Sequence, residues 1–276
     1  MSGDNATGEA AERPRADCTV DGENRLVVRL ALPAAYRPQL LLRLRPPKGE
    51  PERITRVVDL EPAGQDHWHA VLDPEPAFAE GRWDLYVLRA PGEPRSRLLP
   101  GARDLRALMA DSAPDRTPLP LAVRIPYTTL DGYLAVRAWL RTAHAEAGRI
   151  GVGGRAMTVR ARLFGAEAGH GAAAVLRRRG RNSTEREVAL TADGRHDISF
   201  TADYRELLTA PGSGPAVWDV FVRPASDTPR IRVARLLDDV ADRKEVFVYR
   251  ATELDGMTVR PYYTVDNELS VEVAAG

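Results

Sequence analysis

Residues 67–69 read His-Trp-His. Two histidines at i and i+2 share one face of an extended strand, and a metal site can begin from such a pair. His67 and His69 have no third ligand at a telling distance in the sequence, so a solvated strand face is expected instead. Residues 176–182, Leu-Arg-Arg-Arg-Gly-Arg-Asn, gather Arg177, Arg178, Arg179 and Arg181 around Gly180. Guanidinium groups grip phosphate through paired hydrogen bonds, which makes this cluster the best anion-binding candidate in the chain. The competing and preferred reading is an exposed hairpin whose charges keep a strand edge from pairing with neighbours.

Aromatic residues form the third candidate set: Tyr133, Trp139 and Tyr263, with Tyr127 and Tyr262 close by in sequence. Aromatic rings pack well against the C–H-rich faces of sugars, and they are also enriched where proteins meet. Trp139 falls out of step with Leu134, Val136 and Ala138, so it is expected to face outward, toward a glycan or a protein partner. For Tyr127 and Tyr262 the plainer role is bracing the corner of their own domain by a hydrogen bond. Signals of catalysis are missing from the sequence. It has no glycine-rich nucleotide loop after a buried strand, no D-x-D pair, no G-x-S-x-G and no H-E-x-x-H. The adjacent acids of Leu-Asp-Asp-Val-Ala-Asp (237–242) lie between expected strands. No catalytic residue, metal or cofactor is expected.

The elements that must carry these residues occur twice. Residues 82–88 read RWDLYVL and residues 217–223 read VWDVFVR, placing Trp83 and Trp218 135 residues apart (218 − 83). PYTTLDGYLAV (126–136) answers PYYTVDNELSV (261–271) at the same offset, and LVVRLAL (26–32) resembles MTVRARL (157–163). A long repeat with small insertions between its matched strands reads as one domain in two copies. Within each copy the apolar period is two. Leu26, Val28, Leu30 and Leu32 fall on one face, as do Trp83, Leu85 and Val87, or Trp218, Val220 and Val222, which marks strands with one buried side. About seven short strands in ~130 residues predict an all-β chain of two tandem immunoglobulin-like β-sandwiches. A pair of small barrels fits less well, because no closure pattern is visible. Trp83 and Trp218 are then core plugs, while Asp84 and Asp219 point outward. Expected bounds are a disordered tail over 1–17, a first sandwich over 18–146 and a second over 147–276, with the seam in the glycine-rich 142–154. One short helical segment is expected at 103–112.

Lysine plus arginine equals aspartate plus glutamate at 39 each, so the surplus of positive charge that nonspecific nucleic-acid binding requires is missing. Cys18 is the only cysteine, which excludes an intrachain disulfide and a cysteine-based zinc site. No apolar stretch approaches the ~20 residues of a transmembrane helix. The polar start of the chain lacks the apolar core of a signal peptide, so a cytoplasmic location is expected, with a partner able to hold the chain at the inner face of the membrane.

The phrase G-x-WDLYV followed by DGYLAVRA, and WDVFV followed by RPYYTVDNELSVEV, resembles the immunoglobulin-like accessory domains of bacterial envelope-polymer transferases. These are family 2 glycosyltransferases and CDP-glycerol glycerophosphotransferase-like enzymes that build or decorate teichoic-acid-type polymers, particularly in actinobacteria. The resemblance covers nearly all of the chain beyond residue 18, and its motifs are strand-packing motifs. In such proteins the sandwiches stand beside an α/β catalytic domain and mediate oligomer formation or hold the acceptor polymer. This sequence departs from them in having no catalytic domain. The resemblance therefore implies a non-catalytic interaction module for a separately encoded transferase, binding that enzyme or its anionic glycopolymer, with a homo-oligomer left open. The alternatives are a self-contained carbohydrate-binding protein and, third, an uncharacterised transferase or hydrolase.

Overall fold

The computed structural model describes residues 13–109, 113–180, 183–209 and 214–276. It is nearly all β. Its contacts divide into two compact units, the first taking the described residues up to 108 together with 124–138, the second taking 109–123 and 139–276.

The first unit opens with β1 (Arg15–Val20), β2 (Leu26–Ala31), β3 (Gln39–Leu44), β4 (Thr55–Asp59), β5 (Glu61–Pro62) and β6 (His67–Leu72). It continues through β7 (Gly81–Leu88), β8 (Ser96–Arg97) and β9 (Leu99–Asp104), then β10 (Leu121–Thr128) and β11 (Leu134–Arg141), which run across the division between units. Two sheets result, one ordered β5-β6-β2-β1-β9 and the other β10-β11-β7-β3-β4, with β8 on β7. Two stretches of chain serve both sheets. Residues 55–62 pair with β3 and then with β6, broken at Leu60, while residues 96–104 pair with β7 and then with β1, broken at Leu98. Leu60 and Leu98 are both buried, so each break turns a side chain into the space between the sheets.

The second unit carries β12 (His144–Val152), β13 (Ala156–Phe164), β14 (Ala173–Arg178), β15 (Glu185–Asp193) and β16 (Asp197–Asp203). After a short helix, α1 (Tyr204–Leu208), come β17 (Ala216–Arg223), β18 (Ile231–Ala234), β19 (Thr252–Leu254), β20 (Met257–Tyr263) and β21 (Leu269–Ala275). Here the expectation of a two-layer sandwich is corrected. The order β14-β15-β16-β13-β12-β18-β17 returns to β14, closing a seven-stranded barrel, and β21-β20-β19 extends from β17. Closure depends on β15, which runs unbroken, pairing β14 through Glu185–Ala189 and β16 through Leu190–Asp193. A strand that changes partners midway joins what would otherwise be two layers.

The expected inward residues fill both cores. Trp83 and Trp218 are 1% and 0% exposed and sit in matched registers, Trp83 across from Leu44 and Val136, Trp218 across from Arg178 and Val271. Three boundaries differ from the expectation. Strand β1 begins at Arg15, inside the expected tail, because Ala16, Cys18 and Val20 already alternate into the core. Burial pushes the Cys18 thiol up to about 12. The expected seam is strand β12, whose glycines accompany a register shift between Ala147 and Ile150 rather than a linker. The expected helix at 103–112 is a single 3-10 turn, Arg106–Met109, and its last residues lie outside the described ones. Among the described residues no helix is long and apolar enough to cross a membrane.

Candidate functional site

Alternation along β7 sends Trp83, Leu85 and Val87 into the core and Asp84 and Tyr86 to the outer face. On that face Arg43 of β3 stands across from Asp84, Arg45 follows just beyond the strand, and Arg97 of β8 stands across from Tyr86. Three guanidiniums converge on one carboxylate. Arg43 donates to Asp84 at 2.7 Å, Arg45 donates twice at 2.8 and 2.6 Å, and Arg97 lies 3.6 Å away. Asp84 is only 2% exposed despite its outward direction, because arginine stems cover the sheet around it. Burial alone raises its pKa, but hydrogen bonds from Arg45 and Arg43 outweigh that and hold the carboxyl below the ordinary range.

The cluster extends along the sheet. Glu52 accepts from Arg43 at 2.6 Å and from Arg95 at 3.0 and 2.7 Å, and hydrogen bonds from Arg95 and Arg43 lower its pKa to about 2. Arg43 and Arg95 both lie against the Tyr86 ring, at 5.3 and 4.8 Å. Arg97 donates to Asp131 and stacks on Tyr133 at 3.8 Å, and Arg13 lies against the same ring at 5.6 Å while donating to the Tyr133 hydroxyl. Hydrogen bonds from the Thr129 hydroxyl and Arg97 lower Asp131 to about 2.

The second unit repeats the clamp at the same offset. Asp219 on β17 stands across from Arg177, Arg179 follows β14, and Arg232 of β18 stands across from Phe221. Arg179 donates to Asp219 at 3.0 and 2.7 Å, Arg232 at 2.6 Å and the Ser270 hydroxyl at 2.9 Å. Burial raises the Asp219 pKa, and Arg179 together with the charge of Arg232 and the Ser270 hydrogen bond brings it below the usual value. Arg43, Arg45 and Arg97 thus answer Arg177, Arg179 and Arg232. The sequence did hold a signal for this, since those arginines recur 134 or 135 residues apart (177 − 43, 179 − 45, 232 − 97), as the aspartates do. These residues lie on the outward side of their strands, outside the apolar period-two pattern that marks the core.

The expected site residues fare differently. Trp139 and Tyr263 are 1% and 0% exposed, so neither ring offers a face to a sugar or a partner, and Tyr263 belongs to the core of the second unit. Tyr133 stays partly exposed, in the arginine cluster. The hydroxyl of Tyr127 is buried without a hydrogen bond, so the bracing bond expected of it is not made. Tyr262 is partly exposed. The cluster at 177–181 is split, with Arg177 and Arg179 on the face of Asp219 and Arg178 on the other. Arg177 and Arg178 are neighbours on β14 and point to opposite sides, Arg179 is committed to Asp219, and Arg181 lies outside the described residues. His67 holds the Gln65 carbonyl at 2.7 Å and His69 lies 3.8 Å from Glu61, while no group of three or more metal-binding side chains occurs among the described residues.

Two further features bear on chemistry. The acids near 238 are structural where they are buried, Asp238 pairing with Arg235 at 3.2 Å and with the fully buried Arg243. A groove of about 800 Å³ in the second unit is lined by Glu146, Arg160, Arg162, Asp193 and Asp197 among others. Asp197 accepts from Arg162 at 2.8 Å, and Glu146 accepts from the backbone of Leu236 at 2.8 Å and Leu237 at 3.2 Å with His144 at 2.7 Å. Those two acids are therefore already engaged by partners within the second unit.

No family model matches the chain, and no curated protein matches it. Among solved structures it is similar to residues 217–571 of S. aureus TarS, with 16% identity and a TM-score of 0.36 over 70% of this chain and 44% of that one. A second structure of S. aureus TarS gives 16% identity and a TM-score of 0.36 over 72% of this chain and 29% of that one. The chain thus spans less than half the length of either.

Proposed function

We propose that this chain is a non-catalytic interaction module that assists a separately encoded envelope-glycopolymer transferase by binding its anionic polymer. The observation that carries this is the doubled clamp: each copy spreads several arginines over the outer face of its central strands, around one aspartate, Asp84 or Asp219. Such a face is cationic, is fixed in place by its own ion pairs, and offers guanidinium forks to phosphate or carboxylate groups. Trp83 and Trp218 occupy the interiors, so binding falls to the surfaces. The first unit is read as an immunoglobulin-like sandwich and the second as its closed variant, which agrees with the strand-packing motifs that resemble accessory domains of such transferases. Calorimetric titration of the intact chain with poly(glycerol phosphate) tests the proposal. Saturable binding that weakens as salt rises is the expected result. Binding of neutral glycans alone would favour a self-contained lectin, and release of product from a nucleotide-activated sugar by the chain alone would make it an enzyme.

A further inference from the structure

Position 133 and its match at 268 are among the places where the two clamps differ, and we propose that this difference leaves an anion site in the first unit, where Arg13, Arg97 and the Tyr133 hydroxyl bind a phosphate group of an anionic polymer. This rests on the polymer-binding reading and gives that binding an address. Position 133 answers position 268 at the 135-residue offset (268 − 133). In the second unit Glu268 brings a carboxylate into the clamp, accepting from Arg232 Nε at 3.1 Å and lying 3.5 Å from Arg141. The other nitrogens of Arg232 donate to Asp219 at 2.6 Å, Ser270 at 2.8 Å and the Val220 carbonyl at 3.0 Å. That guanidinium is fully engaged by its own chain.

The first unit places an uncharged ring at the same point. Tyr133 stacks under Arg97, and Arg97 Nε, the counterpart of the nitrogen that holds Glu268, is buried without a hydrogen-bond partner. Asp131, with 56% of its side chain exposed, is the carboxylate that pairs with Arg97 beside the ring, while Arg13 approaches the ring as a second cation. Along this face Arg43, Arg45, Arg95 and Arg97 share the carboxylates of Glu52, Asp84 and Asp131, and Arg13 on Tyr133 adds a fifth guanidinium, leaving positive charge over. The Tyr133 hydroxyl accepts from Arg13, so its own proton remains to be donated to a ligand oxygen. A phosphate group meets two guanidiniums and a hydroxyl with several oxygens at once, which a single carboxylate does less well. Glu268 shows from within the chain where negative charge settles in this constellation.

Exchanging the two residues tests the assignment. Poly(glycerol phosphate) is titrated into the intact chain, Tyr133→Glu, Arg13→Gln and Glu268→Tyr at low salt, with thermal unfolding recorded for each to show that it folds. Tyr133→Glu is expected to weaken binding at least tenfold by supplying an internal carboxylate, Arg13→Gln to weaken it several-fold, and Glu268→Tyr to strengthen it or add a second site. Unchanged affinity in both folded first-unit variants overturns the site and leaves polymer binding itself standing. No binding by the unaltered chain overturns both.

Discussion

The two halves share a strand plan and a central phrase yet close differently. In the second, β15 runs unbroken from one neighbour to the next and the sheet returns on itself as a barrel. In the first, the matching stretch is interrupted at Leu60 and its counterpart across the domain at Leu98, so the same order reads as two sheets. A similar contrast runs through the charges. Glu268 adds a second carboxylate to the second clamp, and Tyr133 stands at its matched position in the first. The scaffold and the clamped aspartate recur in both halves while the edges and outward residues such as Tyr133 and Glu268 differ, which is where a repeated domain can acquire separate tasks.

The largest effects should come from what the halves share. Trp83→Ala and Trp218→Ala each remove a fully buried indole and should cost ~3–5 kcal/mol, read as a loss in urea-unfolding midpoint. A cost under ~1 kcal/mol in either would show that its indole does not plug a core. Asp84→Ala comes next. It leaves Arg43, Arg45 and Arg97 crowded without their covered partner and should cost ~3 kcal/mol or more. The side chain of Asp219 is 20% exposed, so Asp219→Ala should cost less, about 1–2 kcal/mol. Equal losses would break the comparison.

Acid sharpens it further. Asp84 and Asp219 both titrate lower in the folded chain than in the unfolded one, so the unfolded chain takes up protons first as pH falls. Their stabilisation is complete above the ordinary carboxylate range near ~4 and is lost as pH drops through the folded values. Unfolding midpoints measured between pH 6 and pH 3 should fall for the parent chain and fall less steeply for Asp84→Ala. Parallel slopes would remove Asp84 from that account. The smallest effect belongs to the turn at 129–132, where Leu130 is fully exposed, and Leu130→Asp should change stability by no more than about 0.5 kcal/mol in the same assay.

Much of this was legible because burial in a strand has period two. Leu26, Val28, Leu30 and Leu32, or Val159, Ala161 and Leu163, declare their inward face without any neighbour being known. Closure was not legible, since alternation along β15 says which side is buried but not which strand lies beside it. Tyr263 is buried, against the expectation, for a plainer reason. It stands two and four residues after Pro261 and Val259, both buried, and so takes the inward side of β20. Trp139 does leave the face of Ala138, but turning away from one core did not bring it to solvent. The clamp escaped because its members come from three strands, and only register brings Arg43, Arg97 and Asp84 together.

The central claim is that this chain supports polymer transfer without performing it. Label incorporation from a nucleotide-activated precursor into envelope polymer can be measured with membranes from a native strain lacking the chain, with and without the purified protein. The account predicts several-fold faster incorporation on addition and none by the protein alone. Incorporation by the protein alone, or no change on adding it, would contradict the account.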